Sequence, residues 1–187
     1  MSAVIFSTSA APGGDALLLH AQSAQLDGDR GDEHDADEQA ADEGGGHLLA
    51  DPPARDRFDA ALEAYVKGGG TLISEARPAW NDERGYANPR IPGAGLDDMF
   101  GAREKELRSP DSVTFTAERD LDGPLAPLAG RTFTGLAFAE HLETTSRATR
   151  VLARFPGESG APGDPAIVVS KYGDGRAILI GTFPSAA

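Results

Sequence analysis

Residues 58–74 read FDAALEAYVKGGGTLIS. Apolar side chains in this stretch recur at spacings of three and four, which places them on one face of a helix: Phe58, Ala61, Leu62, Tyr65 and Val66. Three consecutive glycines then end the helix, and the short apolar run at 71–74 is typical of a buried strand. The stretch therefore predicts a helix, a tight turn and a strand, which is half of an α/β crossover.

The order of elements around this unit follows from local signals. Asp51, followed by Pro52 and Pro53, is a helix start signal, and Glu63 and Lys67 form an i,i+4 pair on the wet face. After a long loop at 77–95, Leu96, Met99 and Phe100 suggest one or two helical turns closed by Gly101. Strands are predicted at 112–117, 132–139 and 150–155, and a final β-hairpin joins 166–172 to 176–181 through an Asp-Gly turn at 173–175.

Composition divides the chain near residue 50. Residues 1–50 hold ten Asp or Glu and a single Arg, so most of the net charge of -13 belongs to this segment. From 10 to 46 no period of two or 3.6 is sustained, and such a segment cannot bury enough surface to offset its ordering entropy. We expect an acidic, disordered tail at 1–50 and one domain at 51–187.

Charge and cysteine content exclude several functions. A pI near 4.6 argues against nucleic acid and against anionic membranes, because both need clustered Lys and Arg. The sequence has no Cys, which excludes disulfides, Cys-ligated zinc and thiol nucleophiles. The N-terminus lacks a signal-peptide pattern and no stretch is long enough to span a bilayer, so we expect a cytoplasmic protein.

The loop that leaves the 71–74 strand is the candidate functional segment, because ligands and partners of open α/β sheets meet the loops at the carboxyl ends of strands. It mixes aromatic, acidic, amide and basic groups: Trp80, Asn81, Asp82, Glu83, Arg84 and Tyr86. This mixture suits an interface or a sugar platform, and we favour the interface over catalysis. The plain alternative is a long loop tied down by its own aromatic anchor.

No other motif predicts catalysis, a cofactor or a metal. Adjacent carboxylates such as Asp82-Glu83 and Asp97-Asp98 point apart, and Glu104 and Glu106 flank Lys105 in a polar stretch. We therefore expect solvated faces or local ion pairs rather than the two facing acids of a glycosidase. Nothing fixes the geometry of His20, His34 and His47 in the tail, so only adventitious metal binding is expected there. His141 is expected to have a surface or structural role. The glycines at 68–70 follow a helix, whereas a phosphate loop opens one.

Four blocks in order resemble the trimerisation domain of family 42 β-galactosidases over about two-thirds of the chain. The 58–73 helix, turn and strand are similar to that family's "yVeaGGtLv" segment. The other blocks are Asn81-Asp82-Glu83, then Ile91-Pro92-Gly93-x-Gly95-Leu96 to Phe100-Gly101 with its trailing Glu104, and finally the closing strands: Val151 to Phe155, Pro165-Ala166 and Tyr172-Gly173-x-Gly175-Arg176-Ala177 to Gly181-Thr182.

This resemblance implies an α/β, flavodoxin-like, three-layer domain related to class I glutamine amidotransferases, incomplete at its N-terminus and closed by a β-hairpin. It implies a homotrimer, or contacts with β-galactosidase subunits, and no catalytic residue or cofactor. The family's catalytic Glu pair lies on a barrel, and a barrel by itself needs about 250 residues.

Three functions stay open: a non-catalytic assembly domain or fragment of a β-galactosidase, a free-standing small-molecule binding module of amidotransferase-like fold that uses Trp80 and Tyr86, for example for a sugar, and a nonfunctional remnant. Residues 1–50 depart from the family pattern. Either Val4, Ile5 and Phe6 supply one strand and the rest is lost, or the segment is foreign to the family through a misplaced start or a frame change.

Overall fold

The computed structural model describes residues 2–10, 16–25, 54–82, 84–158 and 161–185. Two α-helices, α1 (Ala54–Lys67) and α2 (Leu96–Phe100), and one 3-10 helix (Gly123–Leu128) accompany the strands. The strands in chain order are β1 (Ser2–Ala10), β2 (Ala16–Gln25), β3 (Thr71–Ser74), β4 (Ala102–Arg108), β5 (Val113–Ala117), β6 (Thr132–Leu136), β7 (Ala139–Thr144), β8 (Thr149–Arg154), β9 (Pro165–Tyr172), β10 (Gly175–Ile180) and β11 (Phe183–Pro184).

The main sheet has nine strands in the order β1-β2-β3-β10-β9-β8-β5-β6-β11. β3 pairs in parallel with both β2 and β10, and the other neighbours in this sheet are antiparallel. A two-residue connection explains the antiparallel pairing of β9 with β10, because parallel neighbours need a crossover of a dozen or more residues. β4 and β7 form a separate two-stranded antiparallel sheet.

The helix, turn and strand predicted from residues 58–74 are confirmed as α1 and β3. The closing hairpin is confirmed as β9 and β10, with Gly173 and Asp174 as the two loop residues. Its turn packs on the end of α1, where the N–H of Asp174 donates to the carbonyl of Lys67. A Cβ at position 175 would lie 2.1 Å from the Val66 carbonyl oxygen, so this contact requires glycine.

One face of the main sheet carries the principal core. Both helices lie against it, and their buried side chains meet those of β3, β9, β10, β4 and β7 in one cluster: Leu62, Val66, Leu72, Leu96, Met99, Phe100, Ala102, Leu142, Val168, Ala177 and Leu179. Side chains alternate across a strand, so the intervening residues point to the opposite face. We call the first the covered face.

The opposite face is apolar and open among the described residues. It bounds a cavity of about 350 Å³ whose wall is almost wholly hydrophobic and includes Ile73, Leu125, Phe133, Ile167, Ile178 and Ile180. We call this the open face. Leu125, on the 3-10 helix at its edge, keeps 37% of its surface exposed.

Two strand predictions need correction. The strand predicted at 132–139 is two strands, because Ala137 takes a left-handed backbone with φ of 67° and the chain changes sheet there. β4 was not predicted at all, since its sequence AREKELR lacks apolar alternation. It forms because it pairs with β7, and only its first residue is buried.

The α/β class is thus present in a mostly β form. The sheets dominate the described residues, and the two α-helices both lie on the covered face. The flavodoxin-like, three-layer arrangement is not confirmed. Val4, Ile5 and Phe6 fall in β1, and β2 also lies within the segment expected to be a disordered tail. Residues 11–15 and 26–53 lie outside the described residues. No helix in the described part is long and apolar enough to cross a membrane.

Candidate functional site

The predicted loop residues come together in a small turn beyond β3. Asn81 forms an isolated antiparallel bridge with Ala87, and the N–H of Asp82 donates to the Tyr86 carbonyl at 2.7 Å. The Asp82 carboxylate accepts the N–H groups of Arg84 (2.9 Å) and Tyr86 (2.8 Å). Asp82 therefore organises the tip of the loop, as Asx turns do.

The aromatic residues of this loop remain accessible. Tyr86 is 70% exposed and Trp80 38% exposed, and the guanidinium of Arg77 lies 4.8 Å from the centre of the Trp80 ring. An Arg over an indole face is a favourable cation–π contact. Glu83, the remaining predicted residue, lies outside the described residues.

The base of the loop holds a partly buried cluster that we call the carboxyl cluster: Arg77, Glu104 and Glu140. The backbone N–H of Arg77 donates to Oε2 of Glu140 at 2.9 Å, and Arg77 Nε lies 2.8 Å from Oε2 of Glu104. Arg77 adopts a left-handed backbone with φ of 58°, a conformation that costs a non-glycine residue roughly 1 kcal/mol. Its bond to Glu140 offsets that cost.

The polar groups of the carboxyl cluster are incompletely satisfied. Arg77 Nε and Glu104 Oε2 are close but not aligned for a hydrogen bond, so their contact is electrostatic. Oε1 of Glu140 has no hydrogen-bond partner either. These three are the only buried side-chain oxygen or nitrogen atoms among the described residues that lack one.

Glu140 is fully buried, and burial raises its pKa to about 8. The negative charge of Glu104 raises the pKa further, while the Arg77 N–H and the positive charge of Arg77 oppose the shift. At neutral pH the carboxyl group is therefore mostly protonated. A neutral carboxylic acid can both donate and accept a hydrogen bond.

A polar cavity of about 290 Å³ lies beside the carboxyl cluster. Its wall comes from the end of the loop and the two-stranded sheet: Asn88, Pro89, Arg90, Ile91, Arg103, Glu104 and Glu143. Glu104 belongs to both features. Asn88 is held in place because its Nδ2 donates to the Ala79 carbonyl at 2.6 Å, and a Cβ at Gly93 would lie 2.3 Å from that nitrogen.

Sequence reasoning did not find this cluster. Glu104 was assigned to a solvated face or a local ion pair, and it does pair, with Arg77, but its side chain is only 18% exposed. Glu106 pairs with Arg108 on the surface, as expected. One signal was available for Glu140: it shares a strand face with Leu142, a core position, so a charged residue there is unusual.

His141 faces the other side of β7 and is buried, with a structural role. Its ring stacks on Phe155 at 4.7 Å, and its Nδ1 lies 3.1 Å from Oδ2 of Asp164. Lys105, which also bonds Asp164, holds the pKa of that carboxyl below its usual value. Within the described residues no group of three or more His, Asp or Glu is placed to hold a metal ion.

The family described as "Beta-galactosidase trimerisation domain" matches residues 53–187, well over half of the chain. The chain belongs to this family. Among curated proteins, no sequence matches it.

Solved structures share the fold of this trimerisation domain. A β-galactosidase from Bacillus circulans sp. alkalophilus superposes with a TM-score of 0.58 and 19% identity, covering 71% of this chain and 18% of its own. One from the haloarchaeon Halorubrum lacusprofundi gives 0.56 and 20% identity, covering 70% and 18%. A cytoplasmic protein from Salmonella typhimurium gives 0.52 and 14% identity, covering 73% and 52%. The chain thus spans about a fifth of the length of these β-galactosidases.

Proposed function

We propose that this chain acts as a non-catalytic oligomerisation unit of a β-galactosidase and associates as a homotrimer or with β-galactosidase subunits. The observation that carries the proposal, besides family membership, is the open face. An exposed concave apolar surface of this kind marks an interaction site in a folded protein. Galactoside hydrolysis would belong to a catalytic barrel, as in the family, and the cytoplasm is its proposed location.

A ring of three identical subunits needs two different contact surfaces, because the contact in such a ring is heterologous. The open face supplies one. For the other we propose residues 80–86, which we call the Trp80 loop and in which Trp80 and Tyr86 are exposed aromatic residues. Tyr and Trp are enriched among the residues that dominate binding energy at interfaces.

The finer fold assignment is part of this proposal. The α1–β3 unit and the parallel pairing of β3 with β10 support descent from a flavodoxin-like sheet. In such a fold the second face would also be covered by helices. A partner subunit would then take the place of that missing layer.

Sedimentation velocity of the purified full chain tests the association. We expect a trimer that dissociates on dilution, and at least tenfold weaker association for Leu125→Asp or Tyr86→Ala. Leu107→Asp is the matched control, because Leu107 is 38% exposed, almost the same as Leu125, but lies on β4 away from the open face.

A wild-type chain that stays monomeric at every concentration would end this proposal. So would equal weakening by the Leu107→Asp control. We also expect no turnover of a chromogenic galactoside by the chain alone, and turnover abolished by a single Glu substitution would show that it is itself an enzyme.

A further inference from the structure

The polar cavity beside the carboxyl cluster lies next to the loop that carries Trp80, but its wall shares no residue with the open face or with residues 80–86. Its wall contains two cations, Arg90 and Arg103, and two anions, Glu104 and Glu143. Arg103 and Glu143 also pair with each other at 2.6 Å. The charges of the wall therefore balance.

Charge balance restricts what the cavity can bind. A phosphate or other anion needs a surplus of Lys, Arg or N–H donors, and two carboxylates here would repel it. A metal cation needs carboxylates without competing guanidinium groups, and two Arg side chains stand in the same wall. The wall therefore favours a ligand without net charge.

The hydrogen-bonding groups of the wall favour hydroxyl groups. Guanidinium N–H groups donate hydrogen bonds and carboxylate oxygens accept them. A hydroxyl group can accept from the first and donate to the second at the same time. Glu104 can accept through Oε1, because only its Oε2 is buried against Arg77 Nε and the side chain lines the cavity. A volume of about 290 Å³ lies just below the range of about 300–1,000 Å³ for small-molecule pockets, which limits the ligand to roughly one ring.

We infer that the cavity lined by Asn88, Arg90, Arg103, Glu104 and Glu143 is a binding site for a neutral polyhydroxyl compound of monosaccharide size. Glu104 is the central acceptor. Arg77 forms an ion pair with Glu104, and Glu140 accepts the backbone N–H of Arg77 and so fixes the backbone there. Glu140 and Arg77 are thus positioning residues for the site.

Nuclear magnetic resonance of the full chain tests this site with two probes, D-galactose and myo-inositol. The side-chain Nε–H signals of Arg90 and Arg103 should shift in a saturable way, with Kd in the millimolar range that a ligand of about twelve heavy atoms can reach. The Nε–H signal of Arg150, which pairs with Asp122 away from the cavity, should not move. Preference for galactose over inositol would identify a sugar, and equal binding a general polyol site.

Two variants make the result decisive. Arg90→Ala removes an exposed cation without touching the core, and Glu104→Gln removes the central charge; each should weaken binding at least tenfold. Arg150→Ala is the matched control and should bind like the wild type. Unsaturable shifts with both probes, or unchanged binding by Arg90→Ala, would overturn the inference. Sedimentation of the same samples separates this outcome from a failure of the proposed assembly.

Discussion

The two faces of the main sheet differ in what covers them, although the same strands build both. On the covered face, Leu72, Val168, Ala177 and Leu179 are fully buried beneath α1 and α2. On the open face, Ile73, Ile178 and Ile180 are only partly buried, yet they are as apolar as their neighbours. Strand sequence alone therefore cannot tell a face that the chain covers itself from one available to a partner.

The sharpest test of this difference uses two adjacent residues of β10. Leu179→Ala should lower the free energy of unfolding by about 4 kcal/mol, because a fully buried leucine leaves a cavity behind. Ile178→Ala, one residue away on the open face, should cost about 1 kcal/mol. Urea unfolding at a protein concentration at which the chain is monomeric measures both, and equal losses would mean that the chain itself covers the open face.

Glu140, on β7, tests whether water is excluded from the buried residues at the edge of the covered face. Its pKa of about 8 exceeds the 4.5 of an exposed glutamate, so the folded chain holds more protons than the unfolded chain between these values. The free energy of unfolding of the wild type, taken relative to that of Glu140→Gln, is therefore highest below pH 4.5. It falls as the pH rises and becomes constant above pH 8.

Between pH 4.5 and 9, the difference in the free energy of unfolding between Glu140→Gln and the wild type should change by roughly 3 kcal/mol in favour of the variant, after allowance for relaxation around the buried charge. Thermal or urea unfolding at several pH values checks this, and the difference curve removes the titration of all other groups. A flat difference curve would show that water reaches the carboxyl group.

The smallest effect is expected in the Trp80 loop, which belongs to neither face. Asp82→Ala removes the acceptor of two N–H groups in an exposed turn and should cost about 1 kcal/mol. Asp82→Asn keeps one oxygen acceptor and should lose less. Urea unfolding gives the energies, and the fluorescence of Trp80, the one Trp of the chain, reports the loop itself. A loss as large as that of Leu179→Ala would contradict the view of this loop as a surface element.

Local elements were predictable because their signals lie close together in the sequence. The helix and strand at 58–74, the short helix at 96–100 and the closing hairpin each depend on residues within about a dozen positions of one another, and each is confirmed. β4 was not predictable in this way, because its pairing with β7, some forty residues away, outweighs a charged sequence of poor strand propensity.

By itself, the sequence determined the family, the central helix–turn–strand unit, the hairpin and the loop that carries Trp80, since each rests on local spacing or on an ordered set of motifs. Only the tertiary structure decided that β3 pairs with β10, that one sheet face is left open by the described residues, and that Arg77, Glu104 and Glu140 meet. These three residues come from three separate segments. Their proximity depends on the packing of distant strands, which no local pattern encodes.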